Sequence, residues 1–477
     1  MIERRAAAAE KFSTGKLNGV SKSWSKSVMQ SKASGAHQTS FLMPTLGEQL
    51  DPRQALKQLA DTLPWSEFEQ AFGKDYSPEG RPAKPVRLMV GLLLLKQLFN
   101  QGDETVVAAW VQNPYWQYFC GMAEFQWQVP CDPSDLVYFR QRIGEAGVQR
   151  ILKVTVQLHG DKAQESEVVV DTTVQEKNIT HPTDTKLAHK IIRRCWKLAD
   201  GHGVKLRRRY RKAVRACVMA QRWRRDPKKR KAAHRALRKM KVIAGRLIRE
   251  LERKLPATAH AKQRENFTLY RRVLQQQPQD QDKIYSLHEP QVYCMSKGKE
   301  HKRYEFGSKA SVVMTKTHGV IVGVVAHQEN LYDGDALKPA LEQTRAITGQ
   351  TPAKAIVDRG YRGRKEVDGT EVLLPGRPKP GQSQRESAKM RARFRRRAAI
   401  EPVISHLKHQ YRLLRCFLKG FIGDQLNLLL AAAAWNLKKW LRTAALFWLE
   451  LLRLIAANQN LAVSSARAQK GFSGTTN

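Results

Sequence analysis

Two short apolar runs that each end on an aspartate constrain the fold of this chain more than any other feature. Val168 to Val170 form a continuous β-branched run before Asp171, and the apolar run at residues 353–357 is followed by Asp358. Runs of this kind are typical of strands buried on both faces of a sheet. A carboxylate at the end of a buried strand is costly to desolvate unless it has a partner or a function. The sequence therefore predicts an α/β core in which Asp171 and Asp358 each end a strand.

Other strand signals lie between these aspartates and after the second one. Residues 304–315 and 319–327 are β-rich runs joined by a short turn, which predicts a hairpin. Residues 334–347 have helical periodicity, and residues 371–375 predict a further strand. Because neighbouring parallel strands bring their carboxyl ends together, where ligands of α/β sheets bind, we expect the two aspartates to lie close together.

A third acid, Glu401, stands among many cations in residues 391–412. Positions three, four and seven apart share one face of a helix. One such stripe holds Phe394, Arg397, Glu401 and Lys408, and a neighbouring stripe that reads as buried holds Ile400, Ile404, Leu407 and Tyr411. Pro402 makes the shared face approximate, because proline kinks or starts a helix. Glu401 is thus predicted at the edge of the buried face. The alternative is an arginine-rich surface helix with one incidental acid.

Three carboxylates that converge would repel one another unless a cation joins them. Carboxylate oxygens without cysteine or histidine suit hard ions such as Mg²⁺ or Mn²⁺. Two such ions about 3.5–4 Å apart can hold the attacking and leaving oxygens of an in-line phosphoryl displacement. Spacing alone is only moderately specific, since a chain with 43 acids contains many possible triplets.

The charge of the chain points to a polyanionic partner. The net charge is +41, and residues 186–256 alone hold 27 lysines or arginines against four acids. Apolar residues recur in this block at helical spacing, and Asp226-Pro227 divides it, which predicts a helical hairpin. Its cations, among them Arg207, Arg208 and Arg209, are expected to bind DNA phosphates without reading sequence. A solvated face and an acidic membrane surface are the alternatives.

Three further features bear on the class of protein: the N-terminal residues, one apolar stretch and the cysteines. Residues 1–45 predict a disordered basic tail, for which a transit peptide is the alternative. Residues 46–160 predict short helices, either a plain bundle or a helix-turn-helix-like DNA reader. The 13 uncharged residues at 425–437 are too few to span a membrane, which takes about 20. Six scattered cysteines without a C-x-x-C pair fit a reducing compartment.

Three motifs taken together have a recognisable order. They are DTTVQEKNI at 171–179 with PTD at 182–184, DRGYRG at 358–363, and R-x3-E-x6-K at 397–408. In this set the chain resembles the DDE transposases of bacterial insertion sequences, and most closely the insertion-sequence-five family. The resemblance covers roughly residues 40 to 440. Phe394 stands where the family's helix motif begins with tyrosine.

The resemblance implies an architecture. It is an RNase H-like mixed-sheet catalytic core with a helical N-terminal domain, an inserted basic helical block and C-terminal helices. The corresponding segments are the tail at 1–45, the DNA-binding domain at 46–160, the core at 161–185 and 283–412, the insertion at 186–282, and the C-terminal helices and tail at 413–477.

The resemblance also implies roles for residues at the site. Asp171, Asp358 and Glu401 would be the metal-binding triad for Mg²⁺ or Mn²⁺. Arg397 and Lys408 would contact DNA phosphate or support the acid. Arg359 follows the second acid, together with Tyr361 and Arg362; these side chains either grip phosphate or belong to a turn organised by Gly360 and Gly363.

The implied reaction has two similar steps on double-stranded DNA. Hydrolysis at each element end frees a 3′ hydroxyl, and that hydroxyl then attacks a phosphodiester of the target. Both ends must be held together, so a homo-oligomer is expected during the reaction, in the bacterial cytoplasm at the nucleoid and without a membrane partner. Two alternatives stay open. One is a DNA-binding protein that has lost its chemistry, and the other is a basic RNA-binding or ribosome-associated protein.

Overall fold

The structure is a computed structural model that describes residues 28–29, 44–74, 76, 81–277, 279–296, 303–376 and 383–472. Side-chain surroundings are not described for residues 28, 29, 81 and 448–472. Most of the tail expected at residues 1–45, and part of the loop before the helix of Glu401, therefore lie outside the described residues. The chain divides into two compact units, Met1–Leu93 with Asp103–Ile143, and Leu94–Gly102 with Gly144–Asn477.

The smaller unit is helical, as its pattern predicts. Its helices are α1 (Leu46–Gln49), α2 (Ala55–Thr62), α3 (Trp65–Gly73), α4 (Val86–Leu98), α5 (Asp103–Val111), α6 (Pro114–Phe119) and α7 (Pro133–Gln157), of which α4 and α7 continue into the larger unit. The short strands β1 (Val28–Met29) and β2 (Arg81–Pro82) pair in parallel. Within α7, Gly144 has φ +57° and interrupts the helix at the boundary between the units. Only glycine adopts this conformation at little cost.

The larger unit is built on an eight-stranded mixed sheet. Its strands are β3 (Glu167–Lys177), β4 (Tyr293–Ser296), β5 (Tyr304–Thr315), β6 (Ile321–His327), β7 (Lys354–Ile356), β8 (Glu366–Val367), β9 (Thr370–Leu373) and β10 (Arg415–Cys416). The main order is β4-β5-β3-β7-β9-β8, with β6 on β5 and β10 on β3. Strands β5 and β6 form the expected hairpin, and β3, β7 and β9 run parallel. A mixed sheet with a helical N-terminal region agrees with the predicted fold class.

Four helices accompany the sheet in the second half of the chain. They are α12 (Asp333–Thr348), α13 (Gln384–Arg397), α14 (Ile400–Gln410) and α15 (Gly420–Phe472). Pro402 lies in the first turn of α14, where a missing backbone donor costs little. Residues 391–412 thus form two helices separated at Ala398 and Ala399 instead of one continuous helix. No helix among the described residues is long and apolar enough to cross a membrane.

The prediction that Asp171 ends its strand is wrong. Strand β3 continues past Asp171 to Lys177, because it pairs with β5 from Val168 to Glu176. On its other side β3 pairs with β7 only at Glu167–Val169 and with β10 only at Glu176–Lys177. Asp171 therefore lies within a strand, at the place where the neighbouring parallel strand has ended. The pattern of side chains along the sequence predicts the local backbone conformation, but it does not predict where the neighbouring strand ends.

Polar residues at the end of β3 attach α15 to the sheet. Lys177 is buried, and its ammonium lies 2.6 Å from Asp424 and 3.8 Å from Glu289. Gln175 is also buried; its amide donates to the Asp424 carbonyl, and its own carbonyl accepts from Asn427. Buried charges require such partners, since an unpaired one would be strongly destabilising. Gln175 and Lys177 of the first motif therefore have a structural role in this protein.

The basic block forms a helical insertion between β3 and β4. It contains α8 (Asp184–Gly201), α9 (Arg211–Ala220), a 3₁₀ turn (Gln221–Trp223), α10 (Arg230–Lys254) and α11 (Ala257–Gln275). Asp226 and Pro227 lie in the turn between α9 and α10, as expected. The apolar faces of the four helices form a common core that includes Ile191, Met240, Leu247, Leu251 and Phe267. The insertion thus buries its own apolar surface.

We predict that Gly307→Ala lowers the free energy of unfolding by about 1–3 kcal/mol, the range seen when a packed core is overfilled. A Cβ atom at residue 307 would overlap the backbone carbonyl of Gln175 in β3, which cannot move without breaking the sheet. Gly245→Ala in α10 is the matched control. Its Cβ would meet only the flexible head of Arg249, at 3.4 Å, so alanine should stabilise the helix by about 0.5–1 kcal/mol. Thermal unfolding of both variants measures this difference, and a Gly307→Ala protein that melts like the wild type would contradict it.

Candidate active site

Three different elements of the larger unit supply the three predicted acids. Asp171 lies within β3, Asp358 follows β7 and caps the 3₁₀ turn Arg359–Tyr361, and Glu401 lies in the first turn of α14. Val169 pairs with Ile356 in the parallel ladder, and each aspartate follows two residues later. Equal spacing from a paired position places Asp171 and Asp358 side by side.

The guanidinium of Arg397 lies among the three carboxylates. Its Nη2 is 3.2 Å from Asp171 Oδ2 and 3.8 Å from Asp358 Oδ2, and its Nη1 is 3.8 Å from Glu401 Oε1. Arg397 is the last residue of α13, and Glu401 lies four residues later, after the break between α13 and α14. Arg397 and Glu401 therefore lie on the same side, as predicted, although they belong to two different helices.

The backbone holds one oxygen of each aspartate. Asp171 Oδ1 accepts from the Thr172 N–H at 2.8 Å, and Asp358 Oδ1 accepts from the Gly360 N–H at 2.8 Å. In both residues Oδ2 is the oxygen that faces Arg397. The exposed fraction of the side chain rises from 16% for Asp171 to 40% for Asp358 and 67% for Glu401. The cluster is therefore open to solvent on the side of Glu401.

Glu167 fixes the helix that carries Arg397. The guanidinium of Arg393 donates to both Glu167 oxygens, and the Lys316 ammonium lies 2.7 Å from Oε2. The hydrogen bonds from Arg393, followed by those from Lys316, lower the pKa of Glu167 to about 2 despite its partial burial. Because Glu167 lies at the start of β3, this contact attaches α13 to the strand that carries Asp171.

Asp333 and Tyr361 complete the cluster, and the sequence did not reveal their position. Asp333 begins α12, and its Oδ1 lies 2.6 Å from Lys309 Nζ and accepts from the Thr172 hydroxyl at 2.8 Å. Burial, followed by the charges of Asp171, Asp333 and Asp358, raises the pKa of Tyr361 well above its usual value. An acid at the start of a helix is ordinary, because it favours the helix dipole. No local signal could therefore have identified Asp333.

Comparison with known proteins decides the family of the chain. A family model described as "Transposase DDE domain" matches residues 276–437, and one described as "Transposase domain (DUF772)" matches residues 44–142. An uncharacterized protein, ORF8 in the nfe locus of Rhizobium meliloti, is 47% identical over 180 residues, which cover 36% of this chain and 87% of that protein. No solved structure matches the chain.

This chain belongs to the DDE transposases. The match to the DDE domain begins directly after the helical insertion and includes Asp358, Arg397 and Glu401. Asp171 lies before the insertion and outside that match. The match to the second model ends within one residue of the end of the smaller, helical unit. The narrower assignment to the insertion-sequence-five family stays a prediction.

The other candidate residues of the transposase differ in how far their side chains are exposed to solvent. Arg359 and Arg362 are exposed beside Asp358, whereas Tyr361 is 1% exposed and cannot grip a phosphate. Gly363 has φ +92°, which favours a turn at this position. Lys408 lies seven residues after Glu401 on α14 and is partly exposed.

The structure also shows the surroundings of Arg207, Arg208 and Arg209, which precede α9 in the insertion. Arg207 and Arg208 are exposed on the insertion, while Arg209 forms an ion pair with Asp200. Among the described residues, Arg209 is thus the only one of these three arginines that forms an ion pair.

The donor set of the cluster is suited to a hard divalent cation. Asp171, Asp358 and Glu401 offer only carboxylate oxygens, and these converge on a single positive group. As the side chains are placed, no three acids, histidines or cysteines among the described residues are close enough to share a metal ion. The positive charge among the carboxylates belongs to Arg397. The chemistry of the donors therefore fits the metal that the family uses, and the guanidinium lies in the space between them.

We predict that Glu167→Gln lowers the free energy of unfolding by about 2 kcal/mol at neutral pH, because a charge-assisted contact with Arg393 is lost. The folded pKa of Glu167 lies below its usual value of 4.5, so its contribution is fully present above about pH 4.5 and is lost as the pH falls towards 2. The difference in melting temperature between wild type and variant should therefore shrink from pH 6 to pH 3.

Glu366→Gln is the matched control for this measurement. Glu366 is an exposed acid on β8, so its neutralisation should leave stability nearly unchanged. A Glu167→Gln protein whose destabilisation stayed constant over this pH range would contradict the assigned role of the carboxylate.

Proposed function

We propose that this transposase cuts and joins DNA at the ends of a mobile element, with Asp171, Asp358 and Glu401 as its catalytic acids. The observation that carries the proposal is the convergence of these three carboxylates, from three separate elements, on the Arg397 guanidinium. Membership of the DDE transposases supports DNA as the substrate and a divalent metal as the cofactor. The presence of all three acids speaks against a DNA-binding protein that has lost its chemistry.

The proposed reaction joins and breaks one phosphorus–oxygen bond in each step. In the first step, water attacks the phosphorus at an element end, and the 3′ oxygen leaves and takes up a proton. In the second step, the freed 3′ hydroxyl loses its proton and attacks a target phosphorus, whose own 3′ oxygen is the leaving group. Mg²⁺ or Mn²⁺ held by the three acids would stabilise the negative charge on the attacking and leaving oxygens.

The side chains around the acids would hold the DNA for this reaction. Arg359 and Arg362 are exposed next to Asp358, and both can contact phosphates that flank the reacting one. Glu401 is the most exposed acid, so a duplex would approach from its side of the cluster. Asp171 is held by β3 and by the Thr172 N–H, which keeps its orientation when a substrate binds.

The proposed substrates also imply partners for the transposase. Element ends and target are both double-stranded DNA, which would place the protein at the nucleoid. Two ends must react together, so a homo-oligomer is proposed during the reaction. The helical segment at residues 44–142 is proposed to recognise the element end, because it carries the second family match.

We predict that Asp171→Asn, Asp358→Asn and Glu401→Gln each reduce DNA cleavage by about two orders of magnitude or more, since each removes a charge that stabilises the transition state. The assay incubates the protein and Mg²⁺ with duplexes that carry the inverted repeats flanking its gene. New 3′ hydroxyl ends are detected by polymerase extension.

Glu366→Gln again serves as the control, because it removes an exposed acid outside the cluster. It should cleave like the wild type. Cleavage by Glu401→Gln at the wild-type rate would refute the triad. Binding of the duplex by the wild type without any Mg²⁺-dependent cleavage would favour the second candidate, an inactive DNA-binding protein.

A further inference from the structure

The turn between α9 and α10 concentrates exposed positive charge. We call residues 219–231 the insertion tip. Its exposed cations are Arg222, Arg224, Arg225, Lys228, Lys229, Arg230 and Lys231, and none of them forms an ion pair with any residue that the structure describes. Like charges at this density repel one another over about 10 Å at moderate salt. An anionic partner from outside the insertion would relieve this repulsion.

The acids of the basic block are already engaged elsewhere. Asp200 pairs with Arg209, Glu250 pairs with Lys254 at 2.7 Å, and Glu252 pairs with Arg271. Asp226, the one acid within the tip, accepts from the backbone N–H of Lys228 at 2.9 Å. These contacts engage the few acids of the block and leave the tip strongly positive.

The insertion tip also exposes large apolar side chains. Trp223 is 55% exposed and Met219 is 46% exposed. The Lys229 ammonium lies 4.4 Å from the centre of the Trp223 ring, a cation–π contact. The tip therefore combines exposed cations with an exposed aromatic ring that one of them already contacts.

The core of the insertion makes the tip a fixed surface. Ala233 and Ala236 at the start of α10 are buried, and Met240, Ile243 and Leu247 continue the same apolar face into the common core. On α9, Val214 and Cys217 pack into that core. Both helices that carry the tip are thus anchored, so its cations can bind a polymer without ordering a flexible segment first.

We propose that the insertion tip binds the phosphate backbone of duplex DNA at a site separate from the catalytic acids. The choice of DNA over other polyanions rests on the proposed function. Arginine is the main cation of the tip, and its planar fork binds phosphate oxygens in pairs. Contacts of this kind hold a duplex without reading its sequence, so the tip would bind element, flanking and target DNA alike.

The test compares two double variants of the full chain that remove the same charge. Arg224→Gln with Arg225→Gln changes the tip, and Lys262→Gln with Arg264→Gln changes exposed cations of α11 on the same insertion. Dissociation constants are measured by fluorescence anisotropy with a duplex that lacks element ends, over a series of salt concentrations. The tip variant should bind about tenfold more weakly and should flatten the logarithmic salt dependence by about 1–2, since each phosphate contact contributes about 0.9. The α11 variant should stay near the wild type.

Several results would overturn this proposal. One is an unchanged salt dependence in the tip variant, and another is an equal loss in both variants, which would indicate only the general charge. A third is a loss confined to duplex RNA or to phosphatidylserine vesicles, with DNA binding intact. The wild type could also bind duplex DNA through the tip and yet show no triad-dependent cleavage; then only the proposed function would fail.

A separate observation concerns Arg397. Its side chain is 18% exposed, its guanidinium lies within 4 Å of all three acids, and its Nε is buried without a hydrogen-bond partner among the described residues. The position of the guanidinium is thus set by the carboxylates on its outer nitrogens. A divalent ion bound to the oxygens that face Arg397 would lie close to the guanidinium, and the two positive charges would repel each other there.

We infer that Arg397 and the divalent metal compete for the carboxylates, so that Arg397 must move away for the metal to bind. This inference rests on the proposed function for the identity of the metal ligands. On release, the guanidinium would be available for a DNA phosphate, the other role considered for it. Metal and substrate binding would then be coupled through one side chain.

Binding of Mn²⁺, measured without DNA by electron paramagnetic resonance, tests this competition. Arg397→Gln should bind Mn²⁺ about tenfold more tightly than wild type, a change of the size expected for groups that tune a metal site. Arg397→Lys keeps a charge but loses the planar fork, so its affinity should be intermediate. Arg395→Gln removes an exposed cation from the same helix and should bind like wild type.

The outcomes separate this inference from the proposed function. Asp171→Asn should lose Mn²⁺ binding; if it did not, the proposed metal ligands would be wrong. If Asp171→Asn lost binding while Arg397→Gln and Arg397→Lys bound no more tightly than wild type, the competition alone would be refuted. Should Arg397→Gln fail to fold by circular dichroism, the comparison of Arg397→Lys with wild type still decides the question.

Discussion

The pairing of β3 with its two neighbours is the constraint on which the rest of the larger unit depends. Strand β5 supports β3 along nearly its whole length, while β7 pairs only with its first three residues and then turns away. That departure opens a gap beside Asp171 and places Asp358 at the same level. Polar residues of β3 also hold two neighbouring helices in place. Glu167 holds α13, and Lys177 and Gln175 hold α15, so one strand positions the acids and the helices around them.

Electrostatics divides the larger unit into two regions of opposite character. Around β3 and β7, acids gather and are balanced by Arg397 and Lys309, whose charges lie inside the cluster. On the insertion, cations gather and the few acids are engaged near its base. Clustered carboxylates suit a divalent cation, and clustered cations suit a polyanion. The insertion carries its cations on a separate helical core.

The insertion does not depend on the sheet for its packing, because its helices pack against one another. It leaves the chain after β3 and returns before β4, and its helices bury their apolar faces against one another. The match to the DDE domain model begins at residue 276, directly after the helices of the insertion. A self-contained core of this kind can be added to a fold without altering strand register, which is set by pairing within the sheet.

By itself, the sequence predicted most of the strands and helices and the divided basic block, from periodicity and β-branched runs, which are local signals. The selection of the three acids and Arg397 from many possible residues depended on the resemblance to the DDE transposases, and their role stays a prediction. Tertiary structure alone decided that Asp171 lies within its strand, that Tyr361 is buried, and that Asp333 reaches the cluster from the start of α12. It also decided that Lys177 is a buried anchor and not a surface cation. The physical reason is that burial and strand pairing depend on contacts between residues far apart in the chain, which no local pattern records.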